Sequence, residues 1–487
     1  MHAQRFEHGP VARPAGRRPP SLALVLLAPL LLLVCIAPFL YMQLPAGERS
    51  ASHLLRPHVA LNVPTYSPST FQAQSASTGA GIVIPLHNNM AALGVSLILE
   101  LRRLNSTLPI QIYHCFSGEL VDETQALLRA TDPLGRVEIV DVCALLLANG
   151  VFPSHWIALE YQSYLIKVLS LLHTSFDQVM LLDADVIFLE SPDTLWTMPG
   201  YNQTGTLFFY DRQIHVPAFF NTPMTQPKRP GSRKKTLLHH LFQHFPYSAF
   251  GLRQPHLSSQ LRASSAWQGK TAHEQDSSIV LIHKTRVAPV VWQVLWHLVH
   301  HLRFECAYKP GLSWGDKEYF WLAFALADAP YAFSPFAAAN VALPEDMRLH
   351  NDTLCGSLAH YLPIETETDA TRLLYINGND VLSPYWRASK QYAVAPNASW
   401  NEKEAFLIDR IPSHVTPRRT QRSEEARRAG LNEACLVGQG ARHMTDPRFR
   451  PQLVQRIQDT IAAARIVQTK PPNNWDAVAA RQGSPRA

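Results

Sequence analysis

The chain has 487 residues, 46% of them hydrophobic and 17% charged, a composition that builds a packed core and excludes intrinsic disorder. Its net charge of +6 is divided among the N-terminal tail, a patch at 228–235 and the segment after Pro417. Nothing gathers it into the single basic stripe of a nucleic-acid-binding protein, and the internal patch, interrupted by Pro230 and Gly231, reads as a solvated loop.

Residues 1–20 form a tail carrying Arg5, Arg13, Arg17 and Arg18. Residues 21–44 hold no charged side chain and suit one membrane-spanning signal-anchor helix, which needs about 20 apolar residues. The apolar core of a cleavable signal peptide is shorter, at about 7–15 residues. Arginines ahead of the span place the N-terminus in the cytosol and the body across the membrane. Sequons beginning at Asn105, Asn202, Asn351 and Asn397 agree with that orientation. Six cysteines without a CxxC pair argue against structural zinc and for one or two disulfides with a thiol left over.

Residues 45–78 are rich in Pro, Ser, Thr and Ala, the composition of a stem. The folded body is placed at 79–416 and a basic, partly helical extension at 417–487. Strands are expected at 81–85, 109–115, 137–142 and 179–189. Helices are expected at 91–104, 161–172, 318–326 and 451–467. Strands alternating with helices define an α/β domain with parallel strands. His297 and His301 share a helical face but lack the Glu of an HExxH site, so they read as packing residues.

The run 179–189 is apolar apart from Asp183 and Asp185. A strand covered on both faces is normally apolar throughout, and carboxylates inside one are costly without a cation or hydrogen-bond donors. Residues i and i+2 of a strand share a face, so the two acids can converge on a hard cation completed by diphosphate oxygens and water. The alternative is a strand ending in a turn with both aspartates exposed. Asp183-Ala184-Asp185-Val186 also fits the nucleophile motif of aspartyl-phosphate hydrolases superficially. The later acidic pair of that chemistry is missing, because Phe320 follows Gly315-Asp316 at its spacing.

Residues 176–185, with Ser191-Pro192 and Leu195-Trp196 after them, resemble the donor-site segment of the fungal Golgi α-1,3-mannosyltransferases, type II membrane glycosyltransferases with a DxD motif. Blocks at 205–212, 274–284, 314–323, 354–360 and 375–378 are similar to that family's later blocks in the same order. The sharpest is Trp314-Gly315-Asp316-Lys317-Glu318-Tyr319-Phe320-Trp321. Asp276-Ser277-Ser278 departs from the glycine often found in the third block.

The resemblance implies a GT-A-like nucleotide-sugar-binding fold in one large catalytic domain behind the transmembrane helix, with that domain in the Golgi lumen. It implies GDP-mannose as donor, a mannose-containing glycan as acceptor and retention of the α configuration. Asp183 and Asp185 would hold Mn²⁺ (or Mg²⁺), with His360 as a third ligand. Gly81, Ile82 and Val83 would line the nucleotide pocket, and Lys167 would reach phosphate. Asp316 and Glu318 would serve the acceptor side, with Tyr319, Phe320 and Trp321 against sugar faces. Asp276 or Asp316 would face the anomeric carbon. The alternatives are the same fold with another nucleotide sugar (glucose, galactose or N-acetylglucosamine) and a tethered glycan-binding protein without activity, because the acidic pair handles metal and diphosphate rather than the sugar.

Overall fold

The computed structural model describes residues 66–71, 79–224, 235–304, 311–343, 352–364, 372–385, 395, 397–420, 422 and 435–467, all within one compact unit, Val63–Ala487. The expected tail and membrane span, most of the stem and the end of the basic extension lie outside them. Among the described residues no helix is long and apolar enough to cross a membrane.

In chain order the first strands are β1 (Ala80–Pro85), β2 (Ile110–His114), β3 (Val137–Asp141), β4 (Gln178–Leu182), β5 (Val186–Phe188), β6 (Thr206–Tyr210) and β7 (Gln275–His283). They are followed by β8 (Ala339–Ala342), β9 (Leu354–Cys355), β10 (Ser357–Tyr361), β11 (Leu373–Asn377), β12 (His414–Val415), β13 (Cys435–Leu436) and β14 (Arg442–His443). The helices that bear on the site are α1 (Ala91–Arg103), α2 (Ile166–His173), α3 (Pro289–His300), α4 (Tyr319–Leu326) and α5 (Phe449–Val467).

A six-stranded sheet has the order β3-β2-β1-β4-β7-β6. Its β1 is parallel to β2 and β4, and β2 to β3, as the alternation of strands and helices predicts. The expectation stops at β7, which runs antiparallel between β4 and β6. A second six-stranded sheet, β14-β12-β8-β10-β11-β5, is antiparallel and is not foreseen from the sequence.

The first sheet is covered on both faces. Val83, Val179, Leu181 and Val280 pack with the side chains of α2, α3 and α4. Their neighbours Ile82, Met180, Leu182 and Ile279 pack with α1, α5 and the second sheet. Alternate residues therefore enter different cores, which is why β1 and β4 read as unbroken apolar runs. Each such side chain contributes roughly 1.5–3 kcal/mol by leaving water.

Two expected elements are shorter than their hydrophobic patterns. The helix expected from 161 begins at Ile166, after a 3₁₀ turn Ser163–Leu165, because Ser163 has φ +69° and interrupts a continuous α-helix there. The strand expected over 179–189 breaks at the acids. β4 ends at Leu182, Asp183-Ala184-Asp185 turns, and β5 departs to pair with β11 in the other sheet. A straight strand would hold both carboxylates between two apolar layers, and the turn moves them to the sheet edge.

The helix expected at 451–467 is α5, and it packs against α1. Thr460 Oγ1 donates to Ser96 Oγ at 2.8 Å, and Arg103 pairs with Asp459 at 2.6 Å. Disulfides join Cys115 to Cys143 and Cys355 to Cys435, within the number expected, while Cys35 and Cys306 fall outside the described residues.

Candidate functional site

The C-terminal ends of β4 and β6 and the N-terminal start of the antiparallel β7 meet at one sheet edge. In open α/β sheets this is where the chain leaves backbone groups and side chains uncovered for a ligand. The Asp183 amide donates to the Ser278 carbonyl at 2.9 Å, and Val186 N donates back to Asp183 O at 3.2 Å. Gly378 N donates to Asp185 O at 2.9 Å. A Cβ on Gly378 would lie 2.3 Å from the Ile187 Cδ1 and 3.3 Å from the Asp185 carbonyl oxygen, so a larger residue there would have to displace the Ile187 side chain.

Lys167, on the first turn of α2, is buried. Its Nζ lies 2.6 Å from Asp183 Oδ1 and 3.3 Å from Asp316 Oδ2, and it donates to the Ser277 carbonyl and hydroxyl. Burial works against the ammonium, yet Asp183 and Asp316 raise its pKa above the ordinary lysine range. Burial pushes Asp183 up to about 7 against the pull of Lys167, with Asp185 and Asp316 adding to the rise. Asp185 is raised chiefly by burial as well. Three carboxylates thus crowd one ammonium. Asp183 keeps 29% of its side chain open.

Asp276, at the start of β7, accepts from Ser278 N at 3.1 Å and Ser278 Oγ at 2.9 Å. Burial alone would raise its carboxyl, but the His360 ring holds it below the ordinary range. His360 Nε2 sits 2.9 Å from Asp276 Oδ2, and its ring stacks on Tyr375 at 4.7 Å. His360, expected as a third metal ligand, is thus held against Asp276 through Nε2. Among the described residues no three His, Cys, Asp or Glu side chains form a ready metal cage.

Two further expectations change. Gly81, Ile82 and Val83 lie inside the sheet, short of the end of β1. Gly81 faces the Phe176 ring, which a Cβ would meet at 2.4 Å, and Ile82 and Val83 fill opposite cores. Glu318 is wholly buried and accepts from Glu274 N at 2.9 Å, Gln275 N at 3.3 Å and Trp321 Nε1 at 2.6 Å. It ties α4 to the start of β7 and so separates from its neighbour Asp316, which does join the acidic cluster. Tyr319, Phe320 and Trp321 are core residues, not sugar-facing ones.

The structure adds two groups to which the sequence assigns no role. Asp211, just beyond β6, pairs with Lys317 Nζ at 2.5 Å, and despite burial this pair holds Asp211 well below the carboxylate range. Its signal was the same as that of Asp183, an acid directly after an apolar strand. Arg456 of α5 reaches the carbonyls of Ala184 and Val186 at 3.0 and 3.4 Å. No local signal marks it.

These elements define a mixed α/β protein with an acid-rich site at one edge of its sheet. A family model described as "Mannosyltransferase putative" matches residues 79–361, and the chain belongs to that mannosyltransferase family. It is 25% identical over 361 residues to "Alpha-1,3-mannosyltransferase MNN1" of Saccharomyces cerevisiae, covering 67% of this chain and 44% of that one. It is 26% identical over 317 residues to "Probable alpha-1,3-mannosyltransferase MNT4" of the same yeast, covering 61% and 49%. The chain spans less than half the length of these curated relatives. A solved galactosyltransferase, LgtC with donor and acceptor sugar analogues, aligns over 53% of this chain and 74% of its own at 14% identity and a TM-score of 0.28, too slight a likeness to carry weight.

Proposed function

We propose that the chain is a GT-A-type retaining glycosyltransferase that moves mannose from GDP-mannose to a mannose-terminated glycan, forming an α-1,3 linkage. The observation that carries this reading is the Asp183–Lys167–Asp316 cluster at the sheet edge of a chain in a mannosyltransferase family. The names of the yeast relatives support the linkage. A Golgi membrane location with the body luminal belongs to the same reading. Two disulfides and the exposure of Asn105, Asn202 and Asn397 support it, since both bonds and sequons suit an oxidising, glycosylating compartment.

The residues fit a divalent cation. Asp183 and Asp185 supply hard oxygen ligands of the kind Mn²⁺ or Mg²⁺ takes. Burial raises Asp183 first, and the share that Asp185 and Asp316 add to that rise would be relieved by added positive charge. A cation held there would offset the charge on the departing diphosphate. Lys167 orients Asp183 and Asp316 on a common point, and the His360–Tyr375–Ser278 set fixes Asp276. Asp316 and Asp276 are the carboxylates we assign to the sugar side, both buried in the absence of ligand, while Glu318 acts by position alone.

The test is incubation of the full chain with GDP-mannose, Mn²⁺ and an α-mannobiose, reading the linkage of the product by NMR. An α-1,3-linked mannose that disappears in Asp183→Ala and Asp185→Ala is expected. No product from the wild type, or equal product from both variants, would sink the proposal, and product from a UDP-sugar in a parallel arm would reassign the donor.

A further inference from the structure

We propose that Tyr164 and Trp314 form an acceptor platform, the surface on which a pyranose ring of the receiving glycan lies. This deepens the mannosyl-transfer reading and rests on it. Among the described residues the exposed large aromatic side chains are Trp156, Tyr164 and Trp314, and the last two are 43% and 45% open. Tyr164 packs against Gly315, the residue that follows Trp314. The Tyr164 ring lies so close to Gly315 that a Cβ there would be 2.9 Å from its Cγ, and Gly315 has φ +68°, a left-handed turn that glycine adopts without cost.

Both rings adjoin the acidic cluster along the chain. Tyr164 precedes Lys167 by one helical turn, and Trp314-Gly315 leads directly into Asp316, whose Oδ2 is 3.3 Å from Lys167 Nζ. Both are also held from beneath. The residue before Tyr164, Ser163, is in the left-handed region at φ +69°, and its amide donates to the buried Glu119 carboxylate at 3.0 Å. Trp314 lies 6.2 Å from the ring of Phe219, itself at φ +50°. Non-glycine residues at positive φ cost about 1–3 kcal/mol and persist where the surroundings impose them.

The chemistry suits a sugar. A pyranose offers one face of C–H groups to an aromatic ring and hydroxyls around its rim to charged groups, the combination of apolar wall and few placed polar groups that small-ligand sites use. Here the rings supply the wall, and Lys317, three residues after Trp314 and with over a quarter of its side chain open, stands among the polar groups. The buried Tyr319, Phe320 and Trp321 cannot take that part.

The experiment is a titration of the full chain with an α-mannobiose, followed by saturation-transfer NMR, beside calorimetry of GDP in the presence of Mn²⁺. Trp314→Ala and Tyr164→Ala should each weaken mannobiose binding by roughly tenfold, about 1.4 kcal/mol, with Trp314→Phe and Tyr164→Phe restoring most of it. The GDP affinity should stay within about twofold, well under that tenfold unit. Unchanged mannobiose affinity in both alanine variants overturns the platform, as does a GDP affinity that falls in step with it. Because binding is read without turnover, a wild type that binds through Trp314 yet transfers no mannose would defeat the transfer reading and leave the platform standing.

Discussion

Arg456 Nη2 donates to the Ala184 carbonyl at 3.0 Å across 272 residues of chain, so the C-terminal helix holds the middle residue of the acidic turn. The same guanidinium reaches Leu93 O and Val186 O and lies 3.5 Å from Glu100 Oε2. Glu100 in turn accepts from Phe188 N. Both charges are buried, and burial raises the Glu100 carboxyl despite Arg456. Removing one member of such a pair strands the other, at about 3–5 kcal/mol. Arg456→Met should lose that much in denaturant unfolding, and Arg456→Met with Glu100→Gln should recover part of it. Arg456→Lys keeps the charge without the fork and should weaken the proposed Mn²⁺-dependent GDP binding more than it weakens the fold. Wild-type stability in Arg456→Met would contradict the clamp.

Asp316 and Glu318 are two residues apart yet face different tasks. Asp316 joins Lys167 and Asp183, whereas Glu318 holds two backbone amides and an indole. Asp316→Asn should therefore cut the proposed mannosyl transfer by about a hundredfold or more while unfolding within about 1 kcal/mol of wild type. Glu318→Gln should do the reverse in order of severity, losing about 1–3 kcal/mol because it leaves buried donors poorly paired. Side-by-side kinetics and urea melts decide it. Equal stability losses in the two variants would mean that Asp316 is structural too.

The parts of this site that were legible from the sequence are those written locally. β4 shows as an apolar run because both its faces are covered, and Asp183 stands out because a charge interrupts that run. Asp185 is marked in the same way, although the geometry behind it is a turn between two sheets and not one face of a strand. The second sheet was not legible, since β5 is three residues long and finds β11 far down the chain, a pairing no local pattern encodes. Lys167 could be seen as a helix lysine, but its burial depends on Ser277 and Asp316, which only the fold brings to it. Glu318 misleads for the opposite reason. Its neighbours along the chain looked like a site, and its real partners are backbone amides of β7 and the loop before it, which have no sequence signature.

Glu119 gives a pH signature outside the acidic cluster. It accepts from Ser163 N and Cys115 N, and burial pushes its carboxyl up from 4.5 to about 8 against those two hydrogen bonds. Between those values the folded protein keeps a proton that the unfolded chain has released. Stability from this residue is therefore greatest below pH 4.5 and declines as pH rises to about 8, by at most about 1.4 kcal/mol per unit. Glu119→Gln carries no titrating group and should remove that slope. Urea melts in steps across the window should show the variant gaining on the wild type as pH rises, and parallel profiles would refute it.

The Cys355–Cys435 bond spans 80 residues against 28 for Cys115–Cys143, and the two should fail differently. The longer loop contains β10, β11 and β12, and β11 is the strand that receives β5 directly after the acidic turn. Chain entropy gives either bond about 3–5 kcal/mol, somewhat more for the longer loop. The location of the loss is the sharper expectation. Cys435→Ser should raise amide exchange in β8, β10 and β11 and carry through Gly378, whose amide holds the Asp185 carbonyl, to weaken the proposed Mn²⁺-dependent GDP binding. Cys143→Ser should instead loosen the end of β2, where Cys115 N meets Glu119, and leave exchange in β11 as in the wild type. Exchange that rises evenly across both sheets in either variant would show that the two sheets unfold as one unit and that the second sheet has no separate hold on the acidic turn.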